Sequence, residues 1–256
     1  MFKYIYVRFF STGYLQKIND LFLDICLRAR GYNNYRNSKE SGESFFINRI
    51  LVPTNPRVCF DIGANIGNYS EELLTKTNAT VYCFEPLPTT YALLKNKLSG
   101  YGHRLVAENK GVGSENRTLT IHFNPEAIEH ASFSADVKKV SYVTNEMEID
   151  VEVVTLDSYC AKNSITNIDF VKIDTEGFEA EVFKGALETF RKTQPKFIQI
   201  EFNWHQLFRN TSMNYFAENL PNYDVYQLIY NGWIKRDPRD PLTNIYHFSN
   251  FVFVRR

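Results

Sequence analysis

The chain has no surplus of either charge: 29 Lys and Arg face 29 Asp and Glu, so the formal net charge is zero. Proteins that grip nucleic acid by its phosphates depend on a basic surplus, so no nucleic-acid partner is expected. Cysteine is scarce, with four residues at positions 26, 59, 83 and 160. They form no C-x-x-C and have no histidine cluster near them, which argues against a disulfide framework or a zinc site. Cys59 and Cys83 sit inside apolar runs that read as buried strands. Long apolar runs are missing, and no stretch approaches the roughly 20 residues of a membrane-spanning helix. The opening MFKYIYVRFFSTGYL is broken by Lys3, Arg8 and Gly13 and lacks a small-residue cleavage site. A cytoplasmic location is expected. Internal repeats and low-complexity tracts are absent as well. What is present is a globular composition, 44% apolar and 23% charged. The aromatic share of 15% suits stacking on sugar rings, and equally a thick aromatic core, which is the reading adopted.

Two regions are expected: an N-terminal helical segment with its linker over 1–44, and a main domain over 45–256. The first 36 residues hold six basic and two acidic residues, a net charge of +4. Leu15, Ile18, Phe22, Ile25 and Ala29 recur at helical spacing, with Lys17, Asp20, Asp24 and Arg28 on the other side. Ser11 or Thr12 is placed to cap this helix and Gly31 to end it. The helix is expected to pack on the main domain; the alternative is peripheral contact with the inner face of a membrane, or with a partner. Tyr32 to Gly42 reads as a polar linker.

From Arg57 onward, apolar strands alternate with helical patterns, the mark of a mostly parallel sheet covered on both faces. Strands are expected at Arg57–Asp61, Thr80–Phe84, Arg104–Ala107, Ile168–Ile173, Lys196–Glu201, Asp224–Tyr230 and Asn250–Val254, and helices after the first, second, fourth and fifth. RTLTIHF and IDVEVVTL look like an added antiparallel pair, with an irregular stretch, Asn124–Asn145, between them.

Four motifs carry chemistry. In the first, RVCFDIGANIGNYS, a buried strand delivers Asp61 to a turn whose Gly63 and Gly67 permit close approach of a ligand. Asn65 stands at the middle glycine position, where Asn tolerates a left-handed conformation. In the second, VYCFEP, the next strand ends in Glu85, 24 residues after Asp61. An acid there can accept both hydroxyls of a ribose. Together they point to an adenosine-containing ligand, either a nicotinamide dinucleotide or S-adenosylmethionine. Glu71 and Glu72 at the first helix N-terminus would repel a pyrophosphate but tolerate a cationic sulfonium. Tyr91 and Lys95 form a Y-x-x-x-K too early in the chain for a dehydrogenase pair, and are read as chance.

The third motif, NIDFVKIDTEGFEAEVFKGA, ends a strand at Asp174 and continues as a helix with Phe178, Val182, Ala186 and Phe190 on its buried stripe. Asp174 is expected to point into the site, whereas Glu176 and Glu179 have a sufficient explanation in the helix dipole. The fourth, PKFIQIEFNWHQ, brings Glu201 to the same edge and places His205 just beyond it. Trp204 and Tyr69 read either as an apolar wall for a sugar ring or as packing.

In this order the motifs FDIGANIGNYS, FEPLP, VVTLD, VKIDTEGFEAEVFKGA and IEFNWHQLF resemble the FkbM family of S-adenosylmethionine-dependent methyltransferases, from about Phe45 to the C-terminus. The resemblance implies the class I (Rossmann-like) α/β methyltransferase fold, a mostly parallel seven-stranded sheet whose last strand, Asn250–Val254, runs antiparallel. It implies O-methylation of a hydroxyl, commonly on a sugar of a polysaccharide, lipopolysaccharide or glycosylated metabolite. The cofactor cradle is then expected from Asp61, Gly63, Ala64, Asn65, Gly67, Tyr69, Glu85, Pro86, Asn109 and Asp174. Catalysis is expected from Asp174 near the reacting methyl, with Glu201 or His205 as base. Some relatives hold magnesium with acids after strands four and five, but a third acid beside Glu201 is lacking and no metal is assigned. The alternatives are an NAD-dependent oxidoreductase or epimerase, and a non-catalytic module of a glycan-assembly complex.

Overall fold

Five neighbouring strands, four of them burying apolar residues on both faces, run parallel in the computed structural model, which describes residues 2–124, 131–133 and 147–256. The strands are β1 (Val58–Ile62), β2 (Thr80–Phe84), β3 (Leu105–Glu108), β4 (Gly111–Val112), β5 (Arg117–Phe123), β6 (Met147–Val154), β7 (Phe170–Ile173), β8 (Phe197–Phe202), β9 (Tyr223–Ile229), β10 (Gly232–Arg236) and β11 (Ser249–Arg255). The main sheet has the order β10-β9-β11-β8-β7-β1-β2-β3. From β3 to β8 neighbours are parallel, and β11 is antiparallel to both β8 and β9. This is the expected α/β architecture with one strand more. The seven-stranded expectation missed β10 because it is an edge strand with exposed Ile234 and Lys235, outside the apolar pattern. The hairpin that adds it turns at Tyr230 and Asn231, with Gly232 already paired to Ile229.

The pleat sorts side chains into two cores. Phe60, Ile62, Phe84, Val171, Ile198 and Ile200 fill one face, and Cys59, Val81, Cys83, Phe170 and Phe197 the other. Helices α4 (Asn68–Lys76) and α5 (Pro88–Lys97) follow β1 and β2. The third motif forms two helices, α7 (Glu179–Lys184) and α8 (Leu187–Thr193), because the chain breaks at Gly185, where a Cβ would stand 1.9 Å from the Gly113 carbonyl. Its expected stripe is buried nonetheless. Helices α9 (Trp204–Phe208) and α10 (Met213–Glu218) follow β8. The antiparallel pair β5–β6 lies in a separate three-stranded sheet with β4, followed by α6 (Leu156–Lys162). The irregular stretch expected over Asn124–Asn145 falls outside the described residues except at 124 and 131–133.

Helices α1 (Phe2–Phe10), α2 (Gln16–Ala29) and the turn α3 (Glu43–Phe45) precede the sheet. Neither Ser11 nor Thr12 caps α2, which starts instead from a 3-10 turn at Gly13–Leu15. Two expectations are corrected. The stretch from Tyr32 to Gly42 is built into the main domain: Tyr32 is wholly buried, and its hydroxyl donates to the Leu242 carbonyl. The apolar stripe of α2 does not pack inward. Ile18, Phe22 and Ile25 are exposed, and Leu27, on the opposite side of the helix, is the buried residue.

Candidate active site

In an open parallel sheet the crevice lies over the carboxyl ends of the strands, where the strand order reverses. Here that point is between β1 and β7, which are neighbours in the sheet although about a hundred residues apart. A cavity of about 410 Å³ opens there, lined among others by Gly63, Asn65, Phe84, Glu85, Pro86, Thr90, Val112, Phe133, Asp174 and Glu176. A second of about 350 Å³ adjoins it, lined by Asp61, Ala64, Tyr69 and Lys172 and sharing Gly63, Asn65, Asn68 and Asp174. The larger is within the range of small-molecule sites.

Asp61 is wholly buried near the end of β1, in register with Cys83 on one side and Lys172 on the other. Its Oδ2 accepts from Ser70 Oγ at 2.6 Å, while its Oδ1 is buried with no partner among the described residues. Burial pushes this carboxyl up, against the pull of Lys172 and the Ser70 hydrogen bond. Glu85 follows β2 with its oxygens accepting from Asn65 N and Leu87 N, both at 2.9 Å. Burial raises its carboxyl to about 7, and these two hydrogen bonds oppose the rise. Asn65 takes the left-handed conformation, φ +48°.

Gly63 lines both cavities, and each of the two glycines also makes room for a neighbour in the fold. At Gly63, φ +84°, a Cβ would fall 1.7 Å from the Asp174 carbonyl, so the glycine lets the ends of β1 and β7 meet. At Gly67 a Cβ would meet Leu98 and Leu94. Asn109 does not line either cavity among the described residues; its side-chain amide donates to the carbonyls of Glu85 and Pro86 and holds that turn. Tyr69 lines the smaller cavity and its hydroxyl donates to Gln199.

Lys172, missed in the sequence, is 6% exposed with its Nζ 2.6 Å from Asp174 Oδ2 and 4.9 Å from the centre of the Tyr69 ring. Burial alone would lower its pKa; the carboxylates of Asp174, Asp61 and Glu43 overcome that and raise it, so it stays a cation. A lysine inside the apolar run FVKI was the available signal.

Beyond Asp174 the chain turns sharply, with Glu176 (φ +50°) and Gly177 (φ +94°) both left-handed. Glu179 braces this turn. It is 2% exposed, and its Oε1 accepts from Thr175 N, Thr175 Oγ1 and Gly177 N while Oε2 accepts from Gln206 Nε2. It stands in the first turn of α7, as expected, and is a buried acceptor as well. Asp174, Glu176 and Glu201 bring carboxylate oxygens within 4.8 Å of one another. Burial drives Glu201 well above the usual carboxylate range, and Asp174 and Glu176 add to the rise. Glu201 also accepts from Asn203 Nδ2 at 2.5 Å.

His205 is placed differently from its expected role. The imidazole is buried, stacked on Trp204, with Nε2 3.0 Å from Glu176 Oε2. It lines neither cavity among the described residues, and burial lowers it to about 4. The imidazole is therefore held neutral beside the Glu176 carboxylate. Of the three expected catalytic residues, Asp174 lines the cavity, while Glu201 and His205 stand behind its rim. Glu176 and Thr90, which sequence reasoning left out, do line it. The Thr90 hydroxyl is buried with no partner among the described residues. Tyr91 donates to the Ala107 carbonyl, and neither it nor Lys95 lines the cavity.

The donor set fits an adenosyl sulfonium cofactor. Asp61 Oδ1 is an unspent acceptor for an amino group, and Glu85, at the adjoining strand end, is an acceptor for ribose hydroxyls. Acids predominate around the cavities, which suits a cation.

Comparison with known proteins agrees with this. The family model "Methyltransferase FkbM domain" matches residues 61–225. The chain is 25% identical over 189 residues to the 2-O-methyltransferase NoeI of Sinorhizobium fredii, covering 69% of this chain and 75% of that protein. It is 23% identical over 143 residues to the hexuronic acid methyltransferase AglP of Haloferax volcanii, covering 56% and 55%. With a methyltransferase named Methyltransferase sdnD from Sordaria araneosa it shares 27% identity, covering 54% of this chain and 62% of the relative.

Proposed function

The chain belongs to the FkbM methyltransferase family and is an S-adenosylmethionine-dependent methyltransferase, and we propose that it methylates a hydroxyl group of a sugar. The observation that carries the reading is the pairing of two buried acids at neighbouring strand ends, Asp61 with an unspent oxygen and Glu85, facing adjoining cavities. The names of two relatives, a 2-O-methyltransferase and a hexuronic acid methyltransferase, support a sugar hydroxyl.

Asp61 and Lys172 would hold the two charged ends of the cofactor's amino acid, Glu85 its ribose, and the apolar wall of Phe84, Val112 and Phe133 its base. Bound there, the cofactor supplies a methyl group on a cationic sulfonium. The rest of the work falls to positioning. Asp174 and Glu176 face the cavity where the acceptor hydroxyl would lie. Glu176 takes the hydroxyl proton, a step worth ~10²–10⁴-fold. His205 and Glu201 sit behind these carboxylates and fix their orientation.

Calorimetric titration with S-adenosylmethionine, S-adenosylhomocysteine and NAD, followed by transfer of isotope-labelled methyl to a panel of sugars, tests the reading. The two adenosyl ligands should bind and NAD should not, with the label on a sugar oxygen. Label found on nitrogen or carbon acceptors only would refute the sugar hydroxyl. Binding of NAD alone would revive the oxidoreductase.

A further inference from the structure

Helices α1 and α2 carry ten of the twenty-one large apolar side chains exposed among the described residues, and nothing among those residues covers them. On α1, Tyr4 and Phe9 are 79% and 64% exposed, and Tyr14 in the connecting turn is 99% exposed. On α2, Ile18, Leu21, Phe22 and Ile25 form one stripe that turns away from buried Leu27. The two helices are fastened to each other: Tyr6 Oη donates to Asn19 Oδ1, and Asn19 Nδ2 to the Phe10 carbonyl. The apolar face is therefore ordered, and it persists without a covering element.

Charge selects the occupant. The whole chain is neutral, yet its first 36 residues carry +4, leaving −4 on the remainder. Lys3, Arg8 and Lys17 stand exposed among these apolar side chains. Aromatic residues interleaved with Lys and Arg on a short helix suit the boundary between lipid headgroups and acyl chains. No described helix is long and apolar enough to cross a membrane, so such a helix lies in the plane of the surface. The connection to the site is short. Tyr35, five residues past Arg30 and so within about 18 Å of chain, lines the larger cavity.

We propose that α1 and α2 dock the protein on an anionic lipid surface, burying the Ile18–Leu21–Phe22–Ile25 stripe and the aromatic residues of α1 beneath the headgroups. This brings the cavity close to the surface, where an acceptor held in the membrane would be in reach.

Flotation of the full chain with phosphatidylcholine vesicles, with and without about one-third phosphatidylglycerol, tests this. Binding is expected to the anionic vesicles only, weakening as salt rises. Phe9→Ser with Phe22→Ser should weaken it about tenfold or more, and Lys3→Gln with Arg8→Gln about tenfold. S-adenosylmethionine binding and the melting temperature should be unchanged in both variants, so failure here leaves the methyltransferase reading untouched. Absence of binding to anionic vesicles, or equal binding by the Lys3→Gln/Arg8→Gln variant, overturns the proposal. So does a dimer in light scattering that Phe22→Ser converts to monomer, since a second copy would then cover the face.

Discussion

Lys172 Nζ, near the end of β7, and Asp174 Oδ2, one residue beyond that strand, lie 2.6 Å apart, and Lys172 is a cation shared by a group of buried or half-buried acids. Asp61 reaches it from β1 and Glu43 from the turn α3. Four charged groups from three chain segments therefore share one charge balance, and the cofactor's amino-acid end would join it.

Replacing Lys172 with Met should cost about 3–5 kcal/mol near neutral pH, the penalty of leaving buried acids without their cation. Without the ammonium, the folded pKa values of Asp61 and Glu43, already raised by burial, rise further. The folded state then binds protons more tightly, and the loss should shrink as pH falls. Urea unfolding at about pH 8 and about pH 5 measures this. An equal loss at both values would rule out the electrostatic account.

Asp61→Asn keeps the side chain's shape and its contact with Ser70 while removing the charge. Affinity for S-adenosylmethionine should drop about 10- to 100-fold, the range for a hydrogen bond to a charged group. Titration calorimetry reads the change directly. Unaltered affinity would free Asp61 from contact with the cofactor's amino group.

Glu85 predicts a pH dependence with a definite sign. Its folded pKa of about 7 stands above the ordinary 4.5, so its contribution to stability is complete below about 4.5 and is lost as pH rises through about 7. The whole effect is about 3 kcal/mol at most. His205 acts oppositely: lowered from 6.5 to about 4, it makes the fold gain stability as pH rises across that interval. Melting curves of Glu85→Gln should therefore show a steeper gain in stability with pH than the parent. Cofactor affinity of the parent should rise as pH passes about 7, where the carboxylate becomes free to accept from ribose, and the variant should lose that rise.

His205→Gln retains an N–H able to reach Glu176, whereas His205→Ala does not. If His205 positions Glu176, the Gln variant should keep most of the activity and the Ala variant should lose about 10- to 100-fold in kcat. Both should retain the parent's pH–rate shape and affinity for S-adenosylmethionine. Loss of a pH limb in both variants would instead make His205 the base.

Much of this was legible because it is local. Strand periodicity and the Asp61 and Glu85 strand ends depend on residues a few positions apart, and pattern reveals them. What stayed hidden depended on residues brought together from afar. Glu179 looks like a first-turn helix charge until Gln206 and the Thr175 and Gly177 amides are seen to converge on it. Likewise, His205 looks like a base at a strand end until its Nε2 is found on Glu176.

The sequence by itself determined the order of strands and helices, the two-faced apolar core and the acids presented at the sheet's carboxyl edge, since periodicity and turn chemistry act within a few residues. Only the tertiary structure decided which acid meets which cation, that Gly63 makes room for the Asp174 carbonyl, and that the α2 stripe faces outward. Each of these depends on which surfaces the folded chain leaves for one another, and spacing along one helix shows that a face is apolar without showing what covers it.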